Sequence, residues 1–465
     1  MATNQRAPLL AAALLLTLVK SIQFAIDSQA LFYYDSGAFI LNGLGLAFLP
    51  ERAYVYGGLI RAFAVPFHSL RAIVAMQVVM GGLTGWLLTF ALVRFLHVRA
   101  WIAVLAALVF AFDPVQIVYE HLVMSETTAL LAMAVFLLAA LRYLRGPSLW
   151  WLVILSFLGV LLVSLRFVYL PLVLAAAVLL PLAAYFSFSA RRRRLLALAL
   201  VVSCGSTVLF QMGYRDLTGW LAGREPAYHY STGFFLLASI APIVESGDSG
   251  DVRVAGAVAA QNQSGLPLFD RAVRWRQLWT AEGLVPRLRT VFHGDERAAD
   301  QAAQRLARAA IQRNPLGFVK LGLHNYLDYW TGIRSLRAIL TQETGAHLPP
   351  AVTLHDASVI SSVFGADVSH QHTLNTPSRR YHIFARAWYL FLLAAPFLAG
   401  LGLWLRPANP KGVALLFFWS CLLLAATCLG GIQASYRYVH PFSFMSLAAA
   451  AVLCETLIGR QGKRG

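Results

Sequence analysis

Long unbroken runs of apolar residues, each close to the thickness of a bilayer, dominate the chain. A hydrocarbon core of about 30 Å takes roughly 20 helical residues to cross. The runs that approach this length predict about ten transmembrane helices, over residues 8–26, 70–93, 101–117, 127–141, 149–165, 167–186, 195–212, 387–405, 412–430 and 436–458. Only the stretch 213–386 is more polar, and apolar residues at three-to-four spacing within 296–313 predict an amphipathic helix there. The pattern predicts an all-α polytopic membrane protein with a mainly helical external domain.

Arginine and lysine collect in alternate loops, which all fall on one side of the membrane if every run is a full crossing. By the positive-inside rule that side is the cytoplasm. We therefore expect an N-terminal transmembrane module (1–212) whose first outer loop is 27–69, an external soluble domain (213–386) and a C-terminal transmembrane module (387–465). Both termini would be cytoplasmic, the large loop would be periplasmic or extracellular, and the membrane would be a bacterial inner membrane.

Composition narrows the class of protein further. The 465 residues are 58% hydrophobic and 13% charged, whereas about a quarter of the residues of soluble proteins are charged. A soluble enzyme, a disordered chain and a secreted disulfide scaffold are thereby excluded. The net charge of 38 − 21 = +17 falls mostly in loops beside the spans, so it indicates topology and not nucleic-acid binding. The four cysteines lie in apolar runs without C-x-x-C spacing, so no disulfide or metal site is expected, and no cofactor is indicated.

Two carboxylates in the first outer loop are candidates for chemistry at the membrane surface. Asp35 lies in the sequence Tyr33-Tyr34-Asp35-Ser36-Gly37, just after the first span, and Asp27 lies eight residues earlier. Either one could instead cap a helix, because an aspartate accepts hydrogen bonds from free backbone amides. Asp35 is thus the candidate catalytic base, with Asp27 as the reserve and helix capping as the alternative for both.

Further candidates stand at the outer ends of spans, where costly charges often mark a functional cavity. They are Glu126, Arg166, Arg437, Tyr438 and His440, together with Tyr54 in the first outer loop. Arg166 and Arg437 break the inside-positive pattern, and an arginine suits a phosphate because its planar fork makes paired hydrogen bonds. Contact with lipid headgroups is the alternative for the charged residues, and anchoring at the interface is the alternative for the tyrosines.

The order of these residues resembles that of the C-type glycosyltransferase (GT-C) superfamily, which includes protein O-mannosyltransferases and aminoarabinose transferases. The matching residues are Tyr34-Asp35-Ser36, Gln77, Pro114, Tyr119, Ser125-Glu126-Thr127, Arg166 and Arg437-Tyr438-Val439-His440-Pro441. Ser36 departs from the pattern, because many members carry a second acidic residue at this place. The resemblance covers about residues 9–194 and 386–454, and the external segment matches nothing in it.

This resemblance implies an inverting transfer of one sugar from a polyprenyl-phosphate donor to an acceptor hydroxyl of a glycan, lipid or protein on the outer face. Asp35 would be the base, Arg166 and Arg437 would neutralise the departing phosphate, and Glu126 would orient the sugar or the acceptor. Two alternatives stay open. One is an O-antigen ligase or polymerase, and the other is a transporter or flippase for lipids or glycans that performs no catalysis.

Topology gives the first test. Labelling of single cysteines, or reporter fusions, at Asn262 and at Arg192 should report opposite sides of the membrane, because the inside-positive pattern places the external segment outside. If both positions were cytoplasmic, the predicted architecture and the chemistry on the outer face would both be wrong.

Overall fold

The computed structural model describes residues 6–33, 35–46, 54–185, 189–228, 230–262, 271–331, 354–366, 376–432 and 434–461. Within these residues the secondary structure is helical, apart from turns and one isolated β-bridge between Leu31 and Leu122. The predicted all-α fold class is confirmed.

The described part of the chain contains 23 α-helices. The first ten are α1 (Arg6–Ile26), α2 (Ser36–Leu44), α3 (Tyr54–Phe63), α4 (Arg71–Arg94), α5 (Ala100–Ala111), α6 (Pro114–His121), α7 (Glu126–Arg145), α8 (Leu149–Leu165), α9 (Leu170–Tyr185) and α10 (Ala190–Ala222). The next six are α11 (Thr232–Ile240), α12 (Val252–Asn262), α13 (Arg271–Trp279), α14 (Leu284–Val291), α15 (Glu296–Arg313) and α16 (Pro315–Thr331). The last seven are α17 (Leu354–Phe364), α18 (Pro377–Tyr381), α19 (Ala385–Leu393), α20 (Ala395–Trp404), α21 (Pro410–Gly430), α22 (Tyr436–Val439) and α23 (Phe442–Gln461).

Seven of the described helical segments are long and apolar enough to cross a membrane, and two bent pairs, α5 with α6 and α19 with α20, raise the number to nine. The helix α8 is apolar over 17 residues and corresponds to one further predicted span. The expectation of a multi-pass protein with about ten spans is therefore confirmed.

The third predicted span, 101–117, is not a single straight helix. The axes of α5 and α6 differ by 52°. Pro114 is the first residue of α6, and Asp113 caps that helix, its Oδ1 accepting hydrogen bonds from the backbone N–H groups of Val115 (2.8 Å) and Gln116 (3.2 Å). Pro114 lacks the N–H group that would continue α5, and the capping aspartate Asp113 starts a new helix. The chain therefore bends at this point.

The described helices divide between two compact units. The first unit comprises Met1–Tyr228, Arg337–Leu423 and Val439–Gly465. In it, α4 packs against α1, α5 and α7, and α8 packs against α7 and α10. Every residue of α6 is buried. The short α6 therefore lies inside the bundle, where its polar side chains need partners from the protein.

The second unit comprises His229–Leu336 and Leu424–Tyr438. Its apolar core is formed by side chains of α11, α12, α14 and α15, with Leu321 of α16 and Ile432. The predicted amphipathic helix 296–313 is confirmed as α15, and the alanines and Leu306 that carry the periodicity are buried. This unit has the core of a small helical domain.

Candidate active site

Glu126 and Arg166 form an ion pair at one end of the α7–α8 hairpin. Because α7 begins at Glu126 and α8 ends just before Arg166, packing of the two helices brings these ends together. Arg166 Nη1 donates a hydrogen bond to Glu126 Oε1, and the two side chains are only 10% and 1% exposed. Beside them, Ser125 Oγ donates to the Leu165 carbonyl at 3.3 Å. The carboxylate also lies at a helix N-terminus, where negative charge is favoured.

His440 lies within electrostatic range of this ion pair and is held by α6. Its Nε2 donates to Gln116 Oε1 at 2.7 Å, and its ring packs on Tyr119 with the ring centroids 4.6 Å apart. The charges of both Glu126 and Arg166 act on the imidazole. Glu126 and Arg166 are thus in direct contact, and His440 is held in the same unit by Gln116 and Tyr119.

A buried chain of polar contacts continues from His440 into the bundle. Gln116 Nε2 donates to Glu120 Oε1 at 2.9 Å. Lys20 Nζ lies 2.8 Å from Glu120 Oε1 and also donates to the Ala111 carbonyl at 3.2 Å. The Lys20 and Glu120 side chains are 4% and 0% exposed. Lys20 in α1 is therefore connected to His440, near the start of α23, through two side chains of α6.

Tyr56 and Gln77 support the other side of α6. Tyr56 OH donates to Gln77 Oε1 at 2.8 Å, and Gln77 Nε2 donates to the carbonyls of Glu120 (2.9 Å) and Leu122 (2.8 Å). Phe39 packs edge-on against the Tyr56 ring at 5.0 Å. These contacts fix the end of α6 and attach the first outer loop to it.

The protonation states of His440 and Tyr56 follow from the burial of their rings. Both lie outside the helical segments that could cross a membrane, since the last of these begins at Phe442 and not at residue 436 as predicted. Burial lowers the pKa of His440 to about 3, the charge of Arg166 lowering it further and that of Glu126 opposing the shift. Burial also raises the pKa of Tyr56 well above its ordinary value, and the negative charge of Glu126 adds to the increase. At neutral pH both rings are uncharged, so His440 uses Nε2 as the donor to Gln116 and has Nδ1 as its acceptor.

Asp35 immediately precedes α2 and is 8% exposed. Its side chain makes no capping hydrogen bond to α2, although its backbone carbonyl accepts the Phe39 N–H at 3.2 Å. The side chain is therefore not a helix cap in this structure. Phe39, one turn further on, is the residue that packs on Tyr56.

Asp27, in contrast, has a clear structural role. Oδ1 accepts the N–H of Gln29 and Oδ2 accepts the N–H of Ser378, each at 3.1 Å. Burial raises the pKa of this carboxyl, but the hydrogen bonds from Ser378 and Gln29 and the nearby His121 outweigh burial and leave the pKa below its ordinary value. A carboxylate in these surroundings is a weaker base than an ordinary aspartate.

The remaining predicted residues are more dispersed. Tyr54 is the first residue of α3, in the first unit. Arg437 and Tyr438 lie in α22 and belong to the second unit, where the Arg437 N–H donates to Ser435 Oγ at 3.3 Å. Among the residues that the structure describes, no group of three or more His, Cys, Asp or Glu side chains is placed to hold a metal ion.

Sequence reasoning did not assign roles to Lys20, Glu120 and Gln116, and it treated Gln77 only as part of a motif. A signal for the ion pair was present, because opposite charges inside apolar stretches of a membrane protein usually pair with each other. Lys20 and Glu120 are 100 residues apart, however, and the pattern does not show that α1 and α6 are in contact.

The chain was compared with known proteins. No family model and no curated protein matches it. Among solved structures it is similar to ArnT from Cupriavidus metallidurans, whose crystal structure has undecaprenyl phosphate bound. The sequences are 16% identical, the match covers 99% of this chain and 79% of that one, and the TM-score is 0.35. The functional proposal rests on the residues of the site and not on this likeness.

The close approach of α4 to Glu120 gives a test of this arrangement. A β-carbon at Gly81 would stand 1.7 Å from Glu120 Oε1 and 3.1 Å from Gln116 Nε2, whereas one at Gly82 would meet only Lys20 Cγ, at 3.6 Å. We expect Gly81→Ala to destabilise the protein by about 1–3 kcal/mol, as overpacking does. Melting curves followed by tryptophan fluorescence would measure this.

Gly82→Ala is the matched control for Gly81→Ala. It should leave the melting temperature unchanged or slightly raise it, since alanine favours a helix over glycine by about 1 kcal/mol. Equal melting temperatures for the two variants would contradict the described packing of Glu120.

Proposed function

We propose that this chain is an inverting glycosyltransferase that moves a sugar from a polyprenyl-phosphate donor to an acceptor hydroxyl at the outer surface of the membrane. The observation that carries the proposal is the buried Glu126–Arg166 pair with His440 close by, which is a preorganised polar site in a membrane-embedded bundle. Such a site stabilises charge that develops on a leaving group without reorganising at the moment of reaction.

Arg166 is the proposed ligand of the departing phosphate. A guanidinium has five N–H donors in a fixed plane, more than one carboxylate accepts. Glu126 orients this plane and keeps the arginine in place before the donor binds. Arg437 also breaks the inside-positive pattern in the sequence. It is proposed as a second cation for the phosphate, with Tyr438 beside it.

Asp35 is the proposed base that takes the proton from the acceptor hydroxyl. It lies in the first outer loop, its carboxylate does not cap α2, and the residue one turn later packs on Tyr56. Asp27 is the reserve, but its two oxygens already accept backbone N–H groups. Glu126, His440 and Tyr54 are proposed to line the pocket for the sugar or the acceptor.

One observation favours a transporter or flippase. The Lys20–Glu120 pair is buried within segments that have the composition of membrane spans, and charges inside a membrane often belong to a transport pathway. The two functions differ in what they need from the membrane. A transferase forms product in detergent micelles, whereas a transporter forms no product there and moves labelled lipid across proteoliposomes.

The base is tested with Asp35→Asn. Asparagine keeps the size and polarity of the side chain but cannot accept the proton, so transfer from a polyprenyl-phosphate donor should fall by roughly two to four orders of magnitude, as for other general bases. Donor binding and the melting temperature should change little. The assay is sugar transfer in detergent, with a melting curve for each variant.

Asp27→Asn is the comparison. It removes a charged acceptor from the Ser378 N–H, so it should lower the melting temperature while the folded fraction remains active. An active Asp35→Asn protein would end the assignment of the base, and an inactive Asp27→Asn protein with normal stability would move the base to Asp27.

The phosphate ligand is tested with Arg166→Lys. Lysine preserves the ion pair with Glu126 but lacks the bidentate fork. Losing one hydrogen bond to a charged group, worth about 1.5–3 kcal/mol, should raise the KM for the donor about 10- to 100-fold. Arg145→Lys, at the other end of α7, is the control and should behave as wild type. An unchanged donor KM in Arg166→Lys would reduce Arg166 to a partner of Glu126.

A further inference from the structure

The helix α16, in the second unit, has an apolar face turned outward. Leu316, Val319, Leu323 and Leu327 are exposed by 73%, 57%, 56% and 48%. Their spacing places them on one face of the helix. Lys320 and His324 are also exposed and flank this stripe along one side. In water such a face would be costly, because each of these side chains prefers an apolar environment.

The opposite face of α16 is buried and of mixed polarity: Leu321 joins the apolar core of the unit, and Asn325 and Asp328 are buried beside it. Asn325 Nδ2 donates to the carbonyls of Cys428 (2.7 Å) and Gly431 (2.9 Å). A β-carbon at Gly322 would lie 2.5 Å from Leu429 Cδ2, so the backbones approach closely at this point. The buried face of α16 thus has its partners within the protein, while a continuous apolar stripe stays exposed on the other side.

The residues that α16 contacts identify what lies beside it. Cys428 and Leu429 belong to the last turn of α21, which has the length and composition of a membrane span. The final carbonyls of a helix have no partner inside that helix, and Asn325 supplies the missing donor. The helix α16 is therefore attached to the last turn of a helix that is long and apolar enough to cross a membrane.

The neighbouring α15 shows the opposite arrangement. Its alanines and Leu306 point into the core of the unit, and Gln301, Arg305 and Arg308 are exposed. This is the normal pattern of a helix that faces water. The exposed apolar stripe is therefore a feature of α16 that the neighbouring α15 does not share.

We propose that α16 lies on the outer surface of the lipid bilayer, with the stripe Leu316, Val319, Leu323 and Leu327 inserted among the lipids. Helices of this kind bury their apolar face about 5–10 Å into the boundary between headgroups and acyl chains. Lys320 extends its ammonium from the edge of the stripe to the lipid phosphates, as lysines at membrane surfaces do. Tyr326 and Trp330, near the end of the helix, suit the same level of the membrane.

The experiment places a nitroxide label at single cysteines in the full-length protein reconstituted into phosphatidylethanolamine–phosphatidylglycerol vesicles. The labelled variants are Leu316→Cys, Leu323→Cys and Leu327→Cys, with Gln301→Cys as the water-facing control, in a background whose four native cysteines are replaced by alanine. Collision rates with oxygen, which concentrates in lipid, and with a water-soluble nickel chelate are measured. Each labelled protein must melt at the temperature of the unlabelled background.

The logarithm of the oxygen-to-nickel collision ratio should be positive at the three leucine positions and negative at Gln301. A negative value at the leucine positions would show that this face contacts water and would overturn the proposal. Immobilised labels that neither reagent reaches would show that protein covers the face, either a second copy of the chain or another partner, and would overturn the proposal equally.

Discussion

A polar group inside a membrane protein has no water to bind, so every such group must find its partner within the fold. The ion pair between Lys20 and Glu120 meets this requirement, and it connects α1 to α6 inside the first unit. The break between α5 and α6 leaves the Ala111 carbonyl at a helix end, and Lys20 Nζ and Gln23 Nε2 both donate to it. Removing one member of a buried pair typically costs about 3–5 kcal/mol, because the other charge is left alone.

The position of the candidate site depends on that arrangement. Gln116 and Tyr119 project from α6 and hold His440, and Gln77 fixes the end of the same helix through two carbonyls. The helices α7 and α8 supply Glu126 and Arg166 independently, from the ends of a hairpin. A short buried helix thus links the interior charges to the residues at its outer end, so that a rotation of α6 would displace both.

The elements that the sequence predicts well are those that depend on local pattern. The length of apolar runs located the spans, and three-to-four spacing located α15 to the residue. Glu126 and Arg166 were chosen because charge at a span end is costly, and the structure adds that these two side chains form an ion pair. The bend at Asp113 was not predicted, although Pro114 was visible in the sequence.

Contacts between distant parts of the chain could not be obtained in this way. Asp27 accepts an N–H from Ser378, which is 351 residues away, and no periodicity connects the two. Whether Asp35 caps α2 depends on the orientation of its side chain, which cannot be deduced from the residue type alone. The apolar stripe of α16 can be recognised from its spacing, but the contact of Asn325 with the last turn of α21 cannot be predicted from that spacing.

The burial of His440 affects how the stability of the folded protein depends on pH. Because the His440 ring binds a proton only near pH 3, its charge is constant across the range of about pH 5–8 in which histidines usually switch. In the unfolded chain the same ring binds a proton near pH 6.5. Between these two values the unfolded state holds more protons, so stability falls as the medium is acidified from about pH 6.5 toward 3. Mild acid would therefore lower the free energy of unfolding before it protonated the His440 ring in the folded protein.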